Sequence, residues 1–216
     1  MKTRIILTVF LVLVSINKIS SQNEMRIGVN AGVNASQFKG FSYVEDMTVI
    51  KPGFLIGAYF EYYLDDNWSL KANLNYERKS YKDKESGILI DENDQIIDEF
   101  KNVVHYNFIS LPILAKYDIG QSNKFYANAG PNFNYRLNTI VKTDGFLSGK
   151  STLTTNQLDL ALLVGFGMKF HLNDINDLNL ELRYSNDILN LSKEKTVEDP
   201  IQANTLSLVV SWNLEL

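Results

Sequence analysis

The chain has 216 residues, 45% of them hydrophobic, and a formal net charge of −4. That length holds one domain with a full core or a full apolar belt, and that charge gives no basis for a nucleic-acid partner. There is no cysteine, which excludes a disulfide framework, a thiol nucleophile, a thiolate metal site and a lipid-modified N-terminal cysteine.

The chain opens like a secretory signal. Lys2 and Arg4 precede an apolar run from Ile5 to Ile16 that only Thr8 and Ser15 interrupt, and Ser20-Ser21 supply small residues for cleavage. The run is shorter than the ~20 residues of a spanning helix. Residues 1–21 are therefore expected to be a cleaved signal peptide and 22–216 the mature domain.

Eight segments of period two follow, each with an apolar row and a small or polar row, the pattern of a strand with two unlike faces. The first, 26–36, sets Ile27, Val29, Ala31 and Val33 against Arg26, Gly28, Asn30 and Gly32. After a loop at 37–52, the second runs 53–64, with Phe54, Ile56, Phe60 and Tyr62 opposite Gly57, Tyr59 and Glu61. The turn Asp65-Asp66-Asn67 leads to the third, 68–81, where Trp68, Leu70, Leu74 and Tyr76 alternate with Lys71, Asn73, Asn75 and Glu77. Residues 82–102 read as a polar hairpin, Ile88-Leu89-Ile90 and Gln95-Ile96-Ile97 flanking Asp91-Glu92-Asn93-Asp94. That turn lacks the glycine and closing glutamate of a calcium loop, so a solvated turn is the plainer reading.

The fourth strand, 103–117, is apolar on both parities from Ile109 to Ala115, so its faces are not assignable by period, and Pro112 leads us to expect a bulge. A turn at 118–123 opens the fifth, 124–138, with Phe125, Phe133 and Tyr135 opposite Tyr126, Asn128, Gly130 and Arg136. A loop at 139–155 follows. The sixth, 158–170, is the clearest: Leu158, Leu160, Leu162, Val164, Phe166, Met168 and Phe170 alternate with Asp159, Gly165, Gly167 and Lys169 among others. At roughly 3.3 Å per residue and a tilt of about 45° it spans close to ~25 Å, the height of an outer-membrane apolar band. After a turn at 171–177 the seventh, 178–188, sets Leu178, Leu180, Leu182 and Tyr184 against Glu181 and Arg183. A charged loop at 189–203 leads to the eighth, 204–216, with Leu206, Leu208, Val210 and Trp212 on one face.

Connections alternate long and short, and both termini fall on the short-turn side. We therefore expect an all-β chain, an eight-stranded antiparallel up-and-down transmembrane β-barrel. A soluble barrel of the same period would put its apolar row inside. Three features favour the inverse. Glycines 28, 32, 57, 130, 165 and 167 lie in the polar row, which suits a crowded lumen. Tyr62, Trp68, Tyr76, Phe125, Tyr135, Phe170, Tyr184 and Trp212 gather near strand ends, as interfacial girdles do. A secreted soluble barrel without disulfides is also the less usual object. The lumen would then receive Glu61, Lys71, Glu77, Arg136, Asp159, Lys169, Glu181 and Arg183, and charges enclosed there are expected to pair with one another. The expected interior is closed and salt-bridged, since eight strands leave room for side chains and little else.

Pro52-Gly53-Phe54, Ile109-Ser110-Leu111-Pro112, Ala129-Gly130-Pro131, Leu163-Val164-Gly165-Phe166-Gly167 and Leu182-Arg183-Tyr184-Ser185 stand in an order and spacing that resembles the porin-like outer membrane β-barrel domain family common in Bacteroidetes-type Gram-negative bacteria. The resemblance spans the mature chain. It implies residence in the outer-membrane lipid, insertion by the barrel-assembly machinery and no shared catalytic residues. Such barrels commonly end in an aromatic residue, whereas this chain ends in Leu216, with Trp212 four residues before.

His105 and His171 are the only histidines. Ser110 lies on the wrong parity for His105, and His171 beside Asp174 reads as a turn histidine. No nucleophile, base and orienting group converge, so no enzyme and no cofactor or metal is expected. The expected function is a non-enzymatic structural or interaction role in the cell outer membrane. The termini would be periplasmic, and loops 82–102 and 189–203 would contact an extracellular or envelope protein. A narrow porin-like channel for small solutes or ions, and an accessory subunit of an envelope or secretion assembly, are the alternatives.

Overall fold

A computed structural model describes residues 25–39, 48–84, 87–90, 96–120, 125–144, 149–152, 158–173, 176–188 and 202–215. The signal segment 1–21, the turn 91–94, most of the loop 189–203 and Leu216 lie outside the described residues. The described strands are β1 (Met25–Lys39), β2 (Thr48–Tyr63), β3 (Trp68–Asp83), β4 (Gly87–Ile90), β5 (Ile96–Ile119), β6 (Phe125–Asp144), β7 (Gly149–Thr152), β8 (Leu158–Asn173), β9 (Asn176–Asp187) and β10 (Gln202–Glu215). Eight of them, all but β4 and β7, pair antiparallel with their neighbours, and β1 closes the ring on β10. The fold is a closed eight-stranded antiparallel β-barrel.

The stagger of that ring follows from its registers. Stepping sideways from Met25 to Tyr62, Leu70, Ala115, Ala129, Val164, Tyr184 and Leu206 returns to β1 at Ala35, ten residues above the start. Eight strands with that stagger tilt by about 40° and close at a backbone radius of roughly 8 Å. Inward side chains from opposite walls therefore meet near the axis.

Alternation puts the apolar row outside. Val33, Ile56, Leu74, Leu162, Phe166 and Leu182 are each more than half exposed to the surroundings, while their neighbours Asn34, Leu55, Asn73, Asn75, Leu163 and Arg183 are buried. This is the inside-out arrangement of a barrel solvated by lipid. The aromatic ends carry through: Trp68, Phe125, Phe170 and Trp212 stand outward towards the short turns, and Tyr135 and Tyr184 towards the other end. The Trp68 ring packs on Tyr117 at 4.9 Å between centroids.

The expected hairpin at 82–102 and the expected loop at 139–155 both contain paired strands. β4 folds back on the first residues of β5, Gly87 facing Phe100 and Leu89 facing Asp98, and β7 folds back on the end of β6. The hairpin expected within 82–102 is thus present, and 139–155 is a second one rather than a loop. The strand with unassigned faces also resolves. Phe108, Ser110, Leu114, Lys116 and Asp118 lie inside, whereas Leu111, Ile113, Tyr117 and Ile119 lie outside.

The bulge expected at Pro112 is not there. Pairing between β5 and β6 is interrupted at Ile113 and Leu114, opposite Pro131 and Gly130, yet resumes in unchanged register. A proline removes one amide donor but adds no residue, so the ladder skips a bond without shifting. The shift lies instead at Asn107/Phe108, where Leu137 is the extra residue, and a second lies at Lys51/Phe54, where Pro52 and Gly53 sit. There the proline occupies a bulge, a position that asks for no donor.

Candidate functional site

The polar positions with the most structure around them are the inward ones, and they form three tiers. Nearest the short turns, Lys116 lies between Glu61 at 2.6 Å and Asp118 at 3.4 Å, and Lys169 reaches Asp118 at 3.0 Å. Ser69 donates to Glu61 and the Tyr63 hydroxyl donates to Asp118. At the rim, Arg26 pairs with Asp177 at 2.8 Å, and His171 Nδ1 lies 2.6 Å from the same carboxylate.

The middle tier is built on Glu181. Arg183 forks onto both of its oxygens, the Tyr126 hydroxyl donates at 3.0 Å, Asn128 donates at 3.0 Å, and Lys71 stands 3.9 Å away. The Lys71 ammonium also lies 4.0 Å above the Tyr59 ring. Glycine is needed here: a Cβ on Gly167 would sit 2.3 Å from Tyr126 Cζ. The register sets Gly167 of β8 opposite Tyr126 of β6.

In the upper tier Lys79 pairs with Asp187 at 3.3 Å, Asn34 donates to Glu77, and Asn134 donates to Asp159. Arg136 lies over the rings of Tyr106 and Phe108, at 4.9 and 5.4 Å, and none of its three guanidinium nitrogens has a hydrogen-bond partner among the described residues. Above it Phe38 packs edge-on against Tyr81 at 5.2 Å and against Tyr106 at 5.4 Å, over the buried Ala203. Beside this column, Leu55, Glu77, Pro112, Leu163 and Arg183 line a cavity of about 20 Å³, the room of about one water.

All eight lumen charges named from the sequence are buried: Glu61, Lys71, Glu77, Arg136, Asp159, Lys169, Glu181 and Arg183. Glu61, Lys71, Lys169, Glu181 and Arg183 are ion-paired. Glu77, Arg136 and Asp159 have no ion pair within 4 Å among the described residues, and Asp159 and Glu77 are held by amides instead. Arg26, Lys79, Lys116, Asp118, Asp177 and Asp187 share the interior and were not anticipated. Lys79 and Asp187 continue the parity of Lys71 and Glu181, so strict extension of the period would have found them. Lys116 lay on the strand without legible faces.

His105 is placed apart from this interior, and exposed His171 touches it only at the rim, through Asp177. His105 Nδ1 lies 2.8 Å from Ser80 Oγ on the outward row at the long-loop end, its true neighbour being across the strand pair rather than Ser110. No carboxylate joins that pair among the described residues, and no metal-binding group of His, Cys, Asp or Glu occurs among them. Outside the membrane-spanning part, Asp65 Oδ1 accepts the Asn67 and Trp68 amides at 2.9 and 2.8 Å. Those two bonds hold its carboxyl below the usual carboxylate range.

Residues 20–193 match the model of the family described as "Outer membrane protein beta-barrel domain". No curated protein matches the chain. Among solved structures, the chain is similar to Ail of Yersinia pestis at 13% identity, covering 88% of this chain and 99% of that one with a TM-score of 0.46. It is also similar to Neisserial surface protein A at 19% identity, covering 86% and 95% with a TM-score of 0.45, and to OprG of Pseudomonas aeruginosa at 15%, covering 90% and 95% with a TM-score of 0.43. The family match covers most of the sequence and coincides with the closed, inside-out barrel: the chain belongs to the outer membrane protein β-barrel domain family.

Proposed function

We propose that this barrel is a non-enzymatic structural or interaction protein of the outer membrane of a Bacteroidetes-type bacterium, with a lumen closed to solutes. The barrel-assembly machinery inserts it with both termini and the short turns in the periplasm. The β4–β5 and β6–β7 hairpins then face outward, where they meet an extracellular or envelope protein. The observation that carries this reading is the filling of the lumen by paired side chains along its height, ending in the Phe38, Tyr81 and Tyr106 rings. A radius of roughly 8 Å leaves no continuous water path through such a stack. Barrels of this class carry short periplasmic turns and longer outer loops, which supports the orientation.

The test is conductance. The mature chain is refolded in detergent, its folding is checked by the mobility of boiled against unboiled samples, and it is inserted into a planar bilayer. Silence of inserted protein is expected; reproducible unitary steps would overturn the closed lumen. One feature favours the second reading, a narrow channel for small solutes or ions: the Arg136 guanidinium, which has no hydrogen-bond partner among the described residues. If steps occur, Arg136→Met should alter their ion selectivity.

A further inference from the structure

We propose that the membrane-facing surface at the long-loop end, across β2, β3, β5 and β6, binds the phosphate-bearing headgroup of an outer-leaflet lipid. The inference rests on the orientation proposed above. Cross-strand registers set Arg78 beside Phe54 and Asn107, Lys51 beside Ser80 and His105, and Lys82 beside Val103 and Lys142. On β3 and β5 these positions continue the parity of Leu74 on the apolar belt; Lys142 is exposed, Lys51, Arg78 and Lys82 are half-buried, and Ser80, His105 and Asn107 between them are buried. The bulges at Pro52-Gly53 and Leu137 bring Lys51 and Lys142 onto the same outer surface.

Four cations thus stand directly above the apolar belt. Lys51, Arg78 and Lys142 are all near enough to the His105 ring to act on it electrostatically. None of the four has an ion-pair partner among the described residues. The lumen differs: there, most cations are matched by carboxylates.

Arg78 is preset for an anion. Its Nε donates to Asn107 Oδ1 at 2.7 Å, its Nη2 reaches the Tyr76 hydroxyl at 3.4 Å, and its guanidinium lies 5.4 Å from the Phe54 ring centroid. These contacts fix the plane of the fork and leave Nη1 without a protein acceptor among the described residues. A fixed guanidinium edge flanked by ammonium groups matches the oxygens of a phosphate.

The patch is one-sided. On β8, β9, β10 and β1 the outward positions at the same end include Leu158, Ile188, Asn204 and Gln37, and Lys39 is the one cation among those described. Below the patch, Phe54, Ile56, Leu74 and Leu111 are exposed on the belt. They supply a surface for acyl chains, which a lipid can use and a free phosphate cannot.

The test uses folded protein in a neutral detergent, titrated with diacyl phosphatidic acid and followed by native mass spectrometry. Phosphatidylcholine with the same chains and inorganic phosphate are run in parallel. Phosphatidic acid adducts are expected on the wild type and on Lys39→Gln. They should be roughly tenfold to a hundredfold weaker in the variant combining Lys51→Gln, Arg78→Gln and Lys142→Gln. If loss of Arg78 impairs folding, the double variant Lys51→Gln with Lys142→Gln, which leaves the Arg78 hydrogen bonds in place, gives the same comparison. Unchanged binding in the folded variants, or equal binding of phosphatidylcholine, would overturn the proposal. Complete displacement by equimolar inorganic phosphate would overturn it in favour of a free-anion site. Protease cleavage of the hairpin at 85–100 from the periplasmic side alone would overturn the orientation, and with it the outer-leaflet lipid, whatever the adducts show.

Discussion

Arg136 and Arg183 are both buried inward arginines, and they make opposite contacts. Arg183 gives its fork to Glu181, whereas Arg136 rests on two rings with no hydrogen-bond acceptor among the described residues. Breaking a buried pair strands the remaining charge and costs about 3–5 kcal/mol, whereas an apolar side chain in place of an unmatched cation is close to neutral or stabilising. We expect Arg183→Met to lower unfolding stability in lipid vesicles by that amount, and Arg136→Met to change it by less than about 1 kcal/mol; urea midpoints measure both. Gly167→Ala should cost about 1–3 kcal/mol by overpacking, because the Tyr126 ring it would strike is anchored on Glu181. At this scale facing was legible and partnership was not. Period two said that Glu181 and Arg183 look inward, but it could not say that Arg136 would meet aromatic faces, since Tyr106 and Phe108 lie on the strand whose sides were unreadable.

The short turn after β2 owes its form to one side chain. Asp65 accepts two amides of the turn, and those bonds keep its carboxyl ionised to lower pH than in the unfolded chain. Its contribution is therefore present above the ordinary aspartate range near pH ~4 and is lost as pH falls through the lower, folded value. The protection of the Trp68 amide, measured relative to its intrinsic exchange rate at each pH, should fall on acidification in the wild type and be low at every pH in Asp65→Ala. At the other end, β4 pairs only with the first residues of β5. Replacing 87–99 with a short Gly-Asn turn should leave the folded-form gel mobility intact. Loss of the heat-sensitive band would show that the hairpin stabilises the barrel. Strand cores were readable wherever alternation ran unbroken, and the misread stretches begin where it broke. Leu137 and Asn138 are both exposed because the bulge there reverses the phase, so the remainder of β6 looked like loop. Pro52-Gly53 did the same for the start of β2.

The whole molecule depends on closure. β1 and β10 pair along fourteen consecutive positions, Arg26 with Glu215 through Lys39 with Gln202. Removing 202–216 would expose two edges in lipid, where unpaired backbone groups have no water to meet. No heat-sensitive folded band should survive that deletion; its survival would mean that seven strands can close. Such a barrel would bring together side chains that the chain keeps far apart, as the intact one does with Arg26 and Asp177, 151 residues from each other, and Lys79 and Asp187, separated by 108. By itself the sequence determined that the chain crosses a membrane with eight strands and which row of each strand faces in, because both follow from a local period of two and from where aromatics and glycines fall. Only the tertiary structure decided which inward charges meet, which have no ion pair among the described residues and where the outer cations gather. Those outcomes depend on the ten-residue stagger and two bulges, which set each side chain's height and bearing in the ring, and no local period encodes either.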